Sequence, residues 1–158
     1  MFDSIYANLK KVHMMQLSLI SMIAALICVG CTSINVQPVG AGINIVDVCI
    51  EENSKVIVSD FLTVVRDGFD RHGIATKVVI RPAPPECEYV LTYTALKTWD
   101  FGTYLHHAEL RIEKNGRLIG SAEYHLTGKG GLSLTKWQNT KTKMDPVIDQ
   151  LLFNVRAN

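Results

Sequence analysis

Apolar and polar positions along the chain fall into three regimes. Residues 14–30 (MMQLSLISMIAALICVG) are 17 positions without a charge, apolar on every helical face. Residues 32–42 (TSINVQPVGAG) are also uncharged but carry Pro38, Gly40 and Gly42, the punctuation of a flexible tether. From Ile43 onward the pattern becomes that of a folded domain. Residues 43–49 are short and β-branched, a strand. Residues 58–72 place Phe61, Leu62, Val65 and Phe69 at helical spacing, with Arg66, Asp67, Asp70 and Arg71 off that face. Ser54 or Ser59 supplies a cap for that helix and Gly73 its stop, although Val56-Ile57-Val58 favours strand at its start. A second strand over 74–81 ends at Pro82-Ala83-Pro84-Pro85, and three longer strands follow over 88–98, 103–113 and 117–127. A last helix is expected over 146–155, with Val147, Ile148, Leu151, Leu152 and Val155 on one face. Asp145 then serves as its N-cap and Pro146 as its first residue.

The final hairpin offers two registers. A two-residue Asn115-Gly116 turn pairs residues whose numbers sum to 231 and sets Leu118 beside Glu113. A three-residue loop pairs residues summing to 230, setting Ile112 beside Leu118, Leu110 beside Gly120 and His107 beside Glu123. Burial favours the second, because a one-residue slip turns every side chain over. Gly120 then leaves room for a helix side chain. The expected fold class is α+β: a mixed, mostly antiparallel five-stranded sheet in the order 2-1-3-4-5, with two helices packed on one face. The first two strands run parallel through a right-handed helical crossover. One domain over residues 43–158 follows.

Composition adds an address. The chain has 158 residues, 47% of them hydrophobic, which excludes a disordered polymer. With 16 basic and 15 acidic side chains there is no general field for nucleic acid. Lys10 and Lys11 precede the apolar run and Cys31 ends it, the layout of a secretory signal over residues 1–30. An uncleaved membrane helix is the alternative, but 17 residues is short of the roughly 20 needed to span a bilayer. Ile27-Cys28-Val29-Gly30-Cys31 resembles the lipobox of bacterial lipoproteins, with Cys28 where an aliphatic residue is usual. That resemblance implies cleavage after Gly30 and lipidation of Cys31. Thr32 and Ser33 follow in place of an Asp retention signal, which implies the outer membrane and its periplasmic leaflet. Without residues 1–30 the chain holds 14 basic and 14 acidic side chains.

In an oxidising compartment, Cys49 and Cys87 remain as an even pair and are expected to form a disulfide. If their strands are antiparallel neighbours, the end of one lies beside the start of the other. Residues 49–152, with CIEEN, VVRDGFDRHGI, CEYVLTYTALKTWDF, HAELRIEKNGRLIGSAEYHLTGKGG and TKTKMDPVIDQLL, resemble a family of small gammaproteobacterial lipoproteins. The resemblance implies no particular activity. Its fold is similar to periplasmic lipoprotein modules of outer-membrane assembly and export machines.

Candidate chemistry is sparse. Gly128-Lys129-Gly130-Gly131 lacks the phosphate-loop frame, and there is no G-x-S-x-G or H-E-x-x-H. No cofactor is called for. From Tyr124 to Met144 the chain has Lys129, Lys136, Lys141 and Lys143, no acid, and Trp137. Such a loop binds anions with Trp as an interfacial anchor, or is simply a solvated connection with Trp137 packed on the sheet. Trp99-Asp100-Phe101-Gly102 reads as a hairpin corner, with an aromatic tip as an option. His107, Glu123 and His125 share one face and make a weak metal candidate. Adjacent His106 and His107 point to opposite faces of an ideal strand. The expected function is a non-catalytic, lipid-anchored interaction or accessory protein of the cell envelope. Its partners are the membrane and an envelope protein, with no nucleic acid. The alternatives are an envelope-polymer or anionic-lipid binder using the Lys/Trp loop, and a hydrolase of unrecognised site.

Overall fold

A computed structural model describes residues 32–130 and 133–155. Residues 1–30, read above as a signal, and Cys31 lie outside the described residues. The elements are β1 (Thr32–Gln37), β2 (Asp47–Glu51), α1 (Phe61–Arg71), β3 (Ala75–Val79), β4 (Tyr89–Trp99), β5 (Thr103–Lys114), β6 (Arg117–Leu126) and α2 (Thr140–Leu151). Short 3-10 turns at Thr127–Gly130 and Leu134–Trp137 connect β6 to α2. The strands form one mixed sheet in the order β1-β6-β5-β4-β2-β3. Among the described residues the class is the expected α+β with two helices, but the sheet has six strands and its order differs by β1, added beyond β6.

That strand corrects the tether. Thr32–Gln37 pairs antiparallel with β6, from Thr32 opposite Leu126 to Gln37 opposite Ser121. Its alternation is the reason: Ile34 and Val36 stand opposite Tyr124 and Ala122, whose side chains are buried, while Ser33, Asn35 and Gln37 take the other face. Val39 then locks the segment down. Its N–H donates to the Leu151 carbonyl at 2.9 Å, and the Asn154 amide donates to the Val39 carbonyl at 3.2 Å. A Cβ on Gly120 would lie 2.9 Å from Val39 Cγ2 and 3.2 Å from Leu151 Cδ1, so the missing side chain opens the hollow both residues fill.

The β5–β6 hairpin combines features of both registers. Asn115 and Gly116 have φ of +48° and +75°, the left-handed pair of a two-residue turn, and Lys114 faces Arg117. That register would bury the wrong face. A bulge between Ile112 and Glu113 absorbs one residue, after which Ile112 faces Gly120, Leu110 faces Ala122 and His107 faces His125. The apolar face is thus the expected one, with partners two positions away from those expected. Burial decides the face, and turn chemistry decides the partners.

β2 runs parallel to both β3 and β4, with Cys49 beside Val90. The Cys49–Cys87 disulfide therefore does not join antiparallel neighbours. It reaches back to Cys87, two residues before β4 begins, across a Cα–Cα distance of 5.9 Å. Glu51, at the end of β2, fixes the segment that carries the chain from β3 over to β4. It accepts from the Ala83 N–H at 2.8 Å and pairs with Arg81 at 3.2 Å.

Both helices cover one face of the sheet, which buries Leu91, Tyr93, Leu110, Ile112 and Tyr124 beneath Phe61, Val65, Phe69, Ile148 and Leu151. α1 starts three residues later than expected, and neither Ser54 nor Ser59 caps it. Its N-cap is Asp60, which makes no cap bond of its own and instead accepts from the Thr140 hydroxyl at 3.0 Å. α2 begins earlier than Pro146 by almost two turns. Asn139 caps it, accepting from the Thr142 N–H at 2.7 Å, and Pro146 lies inside the helix. Proline there costs about 3 kcal/mol. The cost is offset by a continuous stripe of Thr140, Lys143, Met144, Val147, Ile148 and Leu151, all buried.

The two helices pack tightly at Gly68. A Cβ there would lie 2.8 Å from both Ile148 Cδ1 and Cγ2. Gly68→Ala should therefore destabilise the domain by about 1–3 kcal/mol despite the better helix propensity of alanine. Denaturant unfolding measures it, and an unchanged or raised midpoint would refute the tight contact. The same measurement under reduction should show a loss of up to about 4 kcal/mol for the 38-residue loop that the disulfide closes.

Candidate functional site

The end of the sheet where β4 turns into β5 gathers the Lys/Trp segment and the Trp99–Gly102 corner into one site. β4 continues to Trp99 and β5 starts at Thr103, well past His107, which pairs with the last turn of β6. The hairpin therefore projects beyond the rest of the sheet. Phe101 sits at its tip with φ of +55°. Trp99 is 71% and Phe101 92% exposed.

The Leu134–Trp137 turn packs against the base of this hairpin. Trp137 Nε1 donates to the Asp100 carbonyl at 3.0 Å, and Lys136 Nζ forms a short ion pair with the Asp100 carboxylate. Gly102 brings the backbone close to the indole, where a Cβ would lie 3.7 Å from Trp137 Cδ1. Trp137 keeps 40% of its surface, so three aromatic side chains face outward from one end of the sheet.

The four lysines are not four solvated cations. Lys136 and Lys143 are each only 4% exposed. Lys136 Nζ lies 4.4 Å from the Trp137 ring centroid and 5.9 Å from that of Tyr104. Lys143 Nζ sits between the rings of Tyr104 and Tyr124, at 5.4 and 5.9 Å. It donates to the Leu105 carbonyl at 2.8 Å and to the Lys136 carbonyl. One ammonium thus ties α2 to β5 and to the turn that holds Trp137. Lys141 is exposed but engaged with Asp145 one helical turn away, at 3.1 Å. The side chain of Lys129 lies outside the described part. The segment lacks acids of its own, yet Asp100 reaches it from the hairpin, a long-range contact that residue spacing does not reveal. Lys136 and Lys143 therefore serve as internal struts of the site, and its outward chemistry is aromatic.

The weak metal candidate also changes shape. His107 Nδ1 lies 3.7 Å from Glu123 Oε1, but the residue directly opposite His107 is His125, with ring centroids 5.6 Å apart. A β4–β5 irregularity pairs Leu96 with His107 and Lys97 with Leu105, leaving His106 as the extra residue. Contrary to the ideal-strand expectation, His106 therefore joins the same cluster, 6.5 Å from the His125 ring.

A separate groove of about 460 Å³ opens on the helix-free face between the Arg81–Ala83 segment and β4–β5, lined by Glu51, Thr92, Thr94, Glu109 and Arg111 among others. No family model and no curated protein matches the chain. Among solved structures it is similar to a PelC dodecamer from Paraburkholderia phytofirmans, with TM-score 0.53 and 12% identity over 79% of this chain and 99% of that one. A substituted form of the same dodecamer gives TM-score 0.48 and 14% identity over 73% and 96%. At such identities the first likeness is one of fold.

Burial away from water pulls the Lys143 ammonium down from 10.5 to about 8. Between those values the unfolded chain holds a proton that the folded one has lost, so this group makes stability rise as pH increases from 8 towards 10.5. Titration followed by the Lys143 ¹³Cε resonance should show a midpoint near 8. A midpoint at the ordinary lysine value would mean that water reaches the ammonium.

Proposed function

We propose that this chain is a lipid-anchored, non-catalytic accessory of the bacterial envelope, standing on the periplasmic leaflet of the outer membrane with its aromatic tip in the lipid interface. One observation carries the reading. Thr32, the residue after the anchor cysteine, opens β1 opposite Leu126, at the same end of the sheet as Trp99, Phe101 and Trp137. Attachment through Cys31 then brings those rings to the bilayer surface, where indole and phenyl groups partition at headgroup level.

The likeness in fold to PelC, which forms a dodecamer, supports a role within an assembly. The rest of the surface then faces the periplasm and an envelope partner, a further copy of the chain being one such partner. Capture of an anionic polymer by the lysines is less favoured, because Lys136 and Lys143 are buried and Lys141 is paired.

Two measurements test the reading. Cys31→Ser should give unprocessed or soluble protein, and normal cleavage with unchanged membrane extraction would refute the lipid anchor. The two tryptophans of the chain are Trp99 and Trp137. In vesicles of brominated phospholipid their fluorescence should be quenched in the lipidated protein. Trp99→Ser with Phe101→Ser should reduce that quenching to the share of Trp137 while the fold persists, because both replaced rings are exposed. Equal quenching in the variant would point the tip away from the bilayer.

A further inference from the structure

The helix-free face of the sheet carries a cluster that the membrane reading does not use. Register places its side chains on a grid. His107 stands opposite His125, and Glu109 opposite Glu123, one step along the same strands. On β1, Ser33 continues the first row and Asn35 the second. Two carboxylates directly opposite each other repel, and Arg111, 3.4 Å from Glu109, offsets only one of them. Glu123 turns instead towards His107, at 3.7 Å.

We propose that His106, His107 and His125 bind a single transition-metal dication of the imidazole-preferring kind, Zn²⁺ or Cu²⁺, with Glu123 completing the set. Three features argue for it. The first is spacing: two imidazoles sharing a tetrahedral Zn²⁺ at about 2.0–2.1 Å hold their ring centroids roughly 5–5.5 Å apart. The His107–His125 centroids, 5.6 Å apart, stand close to that spacing, and the His106–His125 centroids, 6.5 Å apart, stand about an ångström outside it.

The second feature is orientation. His106 Nδ1 lies 3.1 Å from the Leu96 carbonyl, a contact in which the ring donates its Nδ1–H. Metal-binding histidines are held in this way through the nitrogen that does not touch the metal. The third is the backbone. The irregularity at His106 spends one ladder position to bring a third imidazole onto the face already holding His107 and His125. Bulges re-aim side chains in this manner beside functional sites.

As the side chains stand, no group of three or more His, Cys, Asp or Glu among the described residues could hold a metal ion. Binding therefore requires side chains to rotate into one set, and His107 and Glu123 keep 22% and 49% of their side-chain surface for that. Nitrogen ligands with one carboxylate favour Zn²⁺ or Cu²⁺ over Ca²⁺ or Mg²⁺, which take oxygen sets.

The test uses the full chain purified from membranes in detergent, titrated calorimetrically with ZnCl₂ and, separately, with CuCl₂. One equivalent of either ion should bind, and Ca²⁺ should not. His107→Ala and His125→Ala should each weaken binding at least tenfold, and together abolish it. Glu123→Gln should weaken it less. Metal-free melting curves of these variants establish that the fold persists, since all three side chains lie on the helix-free face. Cu²⁺ should broaden the backbone amide of Ser33, the β1 neighbour of His125. No heat of binding with 100 µM of either ion (roughly the ceiling for a specific site), or stoichiometric binding that survives the double histidine variant, would overturn the proposal. Neither outcome bears on the lipid anchor, which is tested by cleavage and extraction.

Discussion

The stripe of α2 that closes the core contains an ammonium, and the architecture of one end of the domain depends on it. Thr140, Lys143, Met144, Val147, Ile148 and Leu151 follow one another at helical spacing under the sheet. At five of these positions burial removes apolar or hydroxyl groups from water. At Lys143 it removes a charge, which is tolerable only because two carbonyls and two tyrosine rings surround the Nζ. Those carbonyls belong to β5 and to the turn before Trp137. The helix, the hairpin and the turn are held to one another through a single donor group.

From that tie the exposed aromatic end follows. The Lys136–Asp100 pair and the indole bond to the Asp100 carbonyl prevent a long two-stranded hairpin from waving freely in solvent. A projecting hairpin is marginal alone. Here it is braced at its base, so Trp99 and Phe101 are presented on a supported arm. Among the described residues the opposite face of the sheet carries no helix, and its polar rows follow from alternation along β5 and β6, interrupted at the bulges.

Much of this was legible in the residues, and the exceptions share a cause. Alternation along β5 and β6 told which face is apolar, and helical spacing found α1 through Phe61, Val65 and Phe69. The even pair of cysteines told of the disulfide. The sequence misleads where a segment's role is decided by partners distant along the chain. Spacing alone starts α2 at Pro146, because Thr140 and Lys143 are not core residue types until the sheet covers them. Ile34 and Val36 read as tether beside Pro38 and Gly40 until β6 pairs with them. The bulges at Ile112/Glu113 and His106 are set by turn chemistry and by burial acting together, and neither alone writes a signature in the sequence. The pairing of Asp100 with Lys136 spans 36 residues and depends on the fold that brings them together.

β1 has one more consequence if Cys31 carries lipid. An anchor usually ends in slack chain, whose length sets how far the domain wanders from the bilayer. Here the strand begins at the very next residue. While β1 stays zipped to β6, the leash is close to zero and the domain can pivot but not depart. Its six residues hold about 20 Å of stored reach at roughly 3.3 Å each. Val39, seated over Gly120, marks the point where that reserve ends, so unzipping the strand would lengthen the leash at the cost of Val36's packing on the core.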